Sequence, residues 1–378
     1  NGLYHAYNLL DLEEGTIEVE QLYKMLEGQV AALSAGSITA QEAVDVLQAL
    51  FDSDLYRPDQ GSFMLYPDRE LPSFLEKNRI PAEALERSPF LQRMLAEGDD
   101  RIVARDADGT FRFNAEFINV GALNARLDAL VPQFGDELEA DRDALLELYE
   151  TVFDHQSITG RSGGMFGVEG LGCIYWHMVA KLLLAVQENF FAAVDSHEDS
   201  DTCRQLGQLY YRIRSGIGFN KTPREYGAFP TDPYSHTPGN AGARQPGMTG
   251  QVKEEILSRF GELGVRVSAG KVRFEPDLLR AREFVTAPRH LRFLDVEGNW
   301  QKLEVPPATV AFTWCQVPVI YELINEGEPS LTITLDTDEQ QSFDQLELPT
   351  DESSLLYSRS GRIRQVWVKL QASALFAE

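Results

Sequence analysis

The hydrophobic period of this chain changes once, near Gly264–Gly270, and that change limits the folds open to it. Before it, apolar residues recur every three or four positions, as in Ala43, Val44, Leu47, Leu50 and Phe51, which places them on one face of an α-helix. After it they alternate with polar residues or form β-branched runs, as over 309–314, 330–335 and 363–370, the pattern of half-buried strands. No Gly/Ser or Pro linker separates the two patterns. The expected architecture is therefore α+β, with a helical part at 1–264 and a β-sandwich-like domain at 265–378 packed firmly together.

The helical part begins with an expected hairpin, Val19–Ala35 and Thr39–Phe51, broken at Ala35-Gly36-Ser37. Thr39 and Glu42 have the spacing of a capping box, in which each side chain satisfies a free backbone N–H of the first turn. Helical periodicity returns around 81–96 and 136–153, with a β excursion near 102–113. The most apolar helix is expected at 169–194, followed by helices at 203–214 and 251–264. The 169–194 run is interrupted by His177, Lys181, Gln187, Glu188 and Asn189, which is costly in lipid but ordinary in a buried helix. A lone histidine inside such a helix reads first as a core group satisfied by a hydrogen bond.

Composition narrows the ligands. With 34 basic against 59 acidic residues the formal net charge is -25, which repels nucleic-acid backbones and anionic lipid, so neither nucleic acid nor membrane is an expected partner. An anionic ligand needs a local pocket of Arg, Lys, His and helix N-termini. Cys173, Cys203 and Cys315 lack the spacing of a zinc site or disulfide framework, which points to a reducing, cytoplasmic setting. Walker, dinucleotide-fingerprint, His-Glu-x-x-His and Gly-x-Ser-x-Gly motifs are missing from the sequence, which demotes nucleotide, zinc and serine-hydrolase chemistry. The sequence opens at Asn1 in an aromatic run, from which an upstream portion is expected.

Two clusters could carry chemistry. The first runs from Asp154 through His155 and Arg161 to Glu169, where an imidazole, a guanidinium and glycine-rich backbone precede a helix, a combination suited to an anion or a sugar. The second is the segment 215–250, rich in glycine and proline and far longer than an ordinary ordered loop. It offers Lys221, Arg224, Arg244, Gln245 and His236 to read hydroxyls, and Tyr226 and Tyr234 as flat faces for a sugar ring. Thr249-Gly250 then stands at the head of the last helix, whose free N–H groups point at whatever the threonine binds. A packed loop and a plain N-cap are the structural alternatives.

The stretch from Met248-Thr249-Gly250 through Leu263-Gly264-Val265 to Phe274-Glu275-Pro276 resembles the barrel exit of cellobiose-phosphorylase-like proteins. The resemblance implies an α/α barrel of six hairpins followed by a jelly-roll-like β domain, of which this chain holds the C-terminal part. It also implies inverting phosphorolysis of a β-glucosidic bond, with inorganic phosphate as co-substrate and no other cofactor. In that family an Arg, a His and a Thr-Gly pair hold phosphate while a carboxylic acid protonates the leaving oxygen. Thr249 and Gly250 match the pair; His155 and His236 both stand for the histidine, and Arg161 for the arginine. The acid is Glu169 or lies upstream of Asn1. The expected substrate is a β-linked gluco-oligosaccharide. Hydrolysis or transglycosylation is the alternative reaction, and a non-catalytic saccharide-binding module the alternative class. Pairing of two copies through the helical face stays open.

Overall fold

A computed structural model describes residues 2–6, 8–13, 16–21, 24–67, 72–154, 174–217, 236–237 and 249–377. The chain forms two compact units, Asn1–Pro67 with Gly172–Glu378, and Asp68–Leu171. The secondary structure is mixed α and β, with several small sheets and a sheet-rich C-terminal region.

The first unit opens with an antiparallel hairpin, Asn8–Glu13 paired with Thr16–Gln21, so the expected helix does not start at Val19. Thr16, Glu18 and Glu20 alternate with Ile17 and Val19, a period of two that wins over the weaker helical spacing. The helix begins at Leu26 and ends at Ser34. It is followed by Ala40–Phe51, where Thr39 and Glu42 make both arms of the expected capping box. Among the described residues, three more helices join this layer: Trp176–Asp195, Ser200–Ser215 and Thr249–Glu262. Their contacts are close. A Cβ on Gly261 would stand 2.0 Å from Gln187 Oε1, so any side chain there would displace the Gln187 amide. Gln187 fills the gap, donating to Ser258 O at 2.8 Å, and Tyr210 OH beside it donates to Glu262 Oε1 at 2.7 Å.

At Gly264 the chain turns from helix to strand. Its φ is +71°, and an added Cβ would meet the Glu275 carbonyl carbon at 2.3 Å, so the tight switch depends on glycine. A hairpin, Val265–Ser268 with Lys271–Phe274, leads into the C-terminal sheet. That sheet has five strands in the order 309–314, 317–324, 363–371, 330–335, 340–343, with 317–324 and 363–371 parallel and the other pairs antiparallel. A separate hairpin joins 289–294 to 300–305. The central strand alternates as the sequence does: Val366, Val368 and Leu370 are buried with Ile333, Tyr321 and Phe274 in one core. Tyr321 OH donates to Leu263 O at 2.5 Å, tying this sheet to the end of the Thr249 helix.

An unfavourable charge stands just after the Val265–Phe274 hairpin. Burial, then the neighbouring Glu275 carboxylate, push the Asp277 carboxyl up to about 6, and Arg266 offsets this only in part. The folded value lies above the unfolded one, so this residue's contribution is best below the unfolded pKa and is lost as pH rises through 6. Asp277→Asn is expected to stabilise the protein by on the order of 2 kcal/mol at pH 7.5, with the gain fading toward pH 4. Thermal melts of both proteins at the two pH values check it.

The second unit is built on its own core. The Asp136–Phe153 helix has the expected bounds and packs against Val120–Phe134. Around them are the short helix Phe74–Lys77, the pair Ala82–Glu86 and Pro89–Glu97, and the hairpin Val103–Arg105 with Phe111–Phe113. The single helix expected around 81–96 is broken because Pro89, at a first helical position, follows an N-cap, Ser88, whose hydroxyl accepts from Leu91 N. Phe113, Phe117, Tyr149 and Phe153 form an aromatic core, and Tyr149 OH donates to Phe117 O at 3.1 Å.

Candidate functional site

Three helices of the first unit run in one direction. His177 meets Glu254 near the starts of their helices, and Gln187 meets Ser258 further along both. Asn189 Nδ2 donates to Leu33 O at 2.8 Å, while Leu26 N, at the other end of its helix, donates to Leu65 O beside the 62–63 strand that lies against 174–175. The N-termini of the Leu26, Trp176 and Thr249 helices therefore gather at one end. Their positive dipole ends make that end the natural place for an anion in a protein this acidic. The Ser200 helix returns antiparallel, so Ser215 reaches the same end, with Gly216 against the Gly61 backbone. Of the two clusters singled out in the sequence, 155–173 precedes Ile174 and 218–248 links the Ser200 and Thr249 helices in the chain; apart from 236–237, these residues lie outside the described ones.

At this end an acid and a base face each other. Glu254 Oε2 lies 3.6 Å from His177 Nε2, with the Glu254 side chain 9% exposed and that of His177 21% exposed. That carboxylate oxygen is buried and has no hydrogen-bond partner. A buried carboxylate left so is costly, which makes the His177 imidazole its natural hydrogen-bond partner. The Tyr175 ring contacts the imidazole edge-on, with centroids 5.8 Å apart. Glu254 stands four residues after Gly250, about 6 Å along the helix axis, so the pair sits about one turn beneath the head of the Thr249 helix.

The expected site residues fall as follows. Thr249 and Gly250 are the first two residues of their helix, where the resemblance puts them. His236 lies in a two-residue strand, antiparallel and directly opposite Tyr175, which brings its backbone to within two residues of His177 in the ladder. His155, Arg161, Glu169, Lys221, Arg224, Tyr226, Tyr234, Arg244 and Gln245 lie outside the described residues. The sequence reading passed over His177 as a core group and did not mention Glu254. The signal is slight: each of the two lies close to the start of its helix.

Residues 71–156 match a family model described as GH149 phosphorylase insertion domain 2. The match falls within the second unit, Asp68–Leu171. It relates that segment to glycoside phosphorylases and supports a carbohydrate-active protein related to them. No curated protein matches the chain. Among the described residues, no helix is long and apolar enough to cross a membrane, and no group of His, Cys, Asp and Glu has the arrangement of a metal site.

Proposed function

We propose that this chain belongs to a phosphorylase that splits β-linked gluco-oligosaccharides by inverting phosphorolysis, akin to the cellobiose-phosphorylase-like proteins. The observation that carries the reading is the match of residues 71–156 to a phosphorylase insertion domain, coincident with a compact unit. The gathered helix N-termini, with Thr249-Gly250 at the head of one of them, support it as the anion site. In this reading the helices of 1–264 outside the second unit are hairpins of an α/α toroid, and 265–378 is the β-sandwich-like domain that follows it.

The reaction needs few parts. A carboxylic acid, Glu169 or a residue upstream of Asn1, gives its proton to the glycosidic oxygen. A phosphate oxygen attacks the anomeric carbon from the opposite face, the carbon–oxygen bond to the leaving sugar breaks, and that sugar departs with a new hydroxyl. Phosphate is held by the backbone N–H groups at Thr249 and Gly250 and by His177, with His155, His236 and Arg161 as further partners. Lys221, Arg224, Tyr226, Tyr234, Arg244 and Gln245 contact the saccharide. Inorganic phosphate is the co-substrate and no other cofactor is needed; the setting is cytoplasmic.

The test is release of a sugar 1-phosphate from β-linked glucose oligosaccharides as phosphate is varied, by this chain and by a polypeptide extended upstream of Asn1 along its reading frame. Release is expected to saturate with phosphate and to fall by about 100-fold in Thr249→Ala, the usual cost of removing one anion-stabilising donor. Sugar release that ignores phosphate would move the reading to hydrolysis; binding without release, to a saccharide-binding module.

A further inference from the structure

We infer that Glu254 is a positioning residue: it accepts a hydrogen bond from the Nε2–H of His177 and so presents the opposite ring nitrogen, Nδ1, to the P–OH of monohydrogen phosphate. The inference rests on the phosphorylase reading of this site. It assigns a role to a side chain that carries none in the reaction as set out above.

Three observations converge on it. The Glu254 side chain is more than nine-tenths buried, and its Oε2 is both without a hydrogen-bond partner and aimed at the imidazole, 3.6 Å from Nε2. A carboxylate taken out of water is costly unless something satisfies it, and a small rotation of the imidazole closes this gap to a hydrogen bond. Nothing among the described residues bonds Nδ1 of His177. An imidazole with one nitrogen committed to a carboxylate has its tautomer and ring orientation fixed, which leaves the other nitrogen, an acceptor in that tautomer, for a ligand that brings its own O–H. Finally, Glu254 lies on the helix that Thr249-Gly250 opens, while His177 lies on the neighbouring parallel helix. One carboxylate thus couples the orientation of the histidine to the helix whose N-terminus faces the anion. The edge-on Tyr175 ring limits rotation on the other side.

A merely structural carboxylate would change stability and leave phosphate recognition alone, so the test reads recognition. Glu254→Gln is nearly isosteric and keeps an acceptor but not the charge; Glu254→Leu removes both. With histidine labelled in its ring nitrogens, the wild-type His177 ring is expected to carry its proton on Nε2, and inorganic phosphate to shift its Nδ1 resonance. In Glu254→Gln the Nε2 signature is expected to weaken and KM for phosphate to rise about tenfold with kcat within about twofold. Glu254→Leu is expected to exceed both effects.

An unchanged ring spectrum in both variants overturns the inference, as does a changed spectrum with KM for phosphate unaltered. A rise in KM with no change at the ring also overturns it, since Glu254 would then act by another route. The spectrum needs no turnover. A wild type that forms no sugar 1-phosphate but whose His177 ring responds to phosphate contradicts the phosphorylase reading and leaves this inference standing; a ring that does not respond contradicts the inference itself.

Discussion

His177→Ala is expected to lower kcat/KM for phosphate by about 100-fold or more, while the affinity for a gluco-oligosaccharide stays within a few-fold of wild type. The size follows from the position. Removing a preorganised hydrogen-bond partner from a charge-stabilising site typically costs about 100- to 1,000-fold, because water cannot replace it with the same geometry. The imidazole lies about one turn below the head of the Thr249 helix and beside a buried carboxylate, so its loss removes a fixed phosphate partner where the helix ends already favour an anion. It also strands Glu254, which is why the folded state must be checked by near-ultraviolet circular dichroism and saccharide binding by calorimetry. Retained phosphate kinetics in a folded variant would return His177 to the core role that its apolar helix first suggests.

Phe113→Ala is expected to cost the second unit about 3–5 kcal/mol, the usual range for deleting a buried aromatic ring. Phe113 is 2% exposed, meets Tyr149 edge-to-face at 5.1 Å, and lies 6.1 Å from Phe153. Against a typical domain stability of about 5–15 kcal/mol this is a large share. Amide hydrogen exchange should show protection falling across residues 72–154. Unchanged protection there would mean that the aromatic core is not what holds this unit together.

Much of the local structure was legible because local rules agree with the fold. The Thr39–Glu42 capping box, the Asp136–Phe153 helix and the strands Thr309–Trp314 and Ser330–Leu335 all appear with the bounds their patterns imply. Failures came where two patterns competed. Residues 16–21 alternate with period two, yet Val19, Leu22 and Tyr23 also fit a helix; pairing with 8–13 decided the outcome. Val317–Ile324 is almost wholly apolar at its start, and a run of that kind does not distinguish strand from buried helix. Val120–Phe134 holds Gly121 and Pro132, which mask its helical stripe of Leu123, Leu127 and Leu130.

The site was legible in part, and for a different reason. Thr249-Gly250, singled out through the family resemblance, does open a helix. The His177–Glu254 pair could not be found, because its two members are 77 positions apart, from the difference of their numbers, and meet only when two helices pack in parallel. Separation of the second unit was equally hidden, since no change of period marks residue 68 and the glycine-rich stretch before residue 171 reads first as a ligand loop.

The central claim is that phosphate, and not water, receives the glycosyl group, with inversion at the anomeric carbon. The most direct measurement is ³¹P and ¹H nuclear magnetic resonance of the early products formed from a β-linked gluco-oligosaccharide in phosphate buffer, with the upstream-extended polypeptide as catalyst. The expected result is an α-configured sugar 1-phosphate appearing in step with a saccharide one unit shorter. Free sugar with no phosphorus resonance, or a β-configured sugar 1-phosphate, would contradict it.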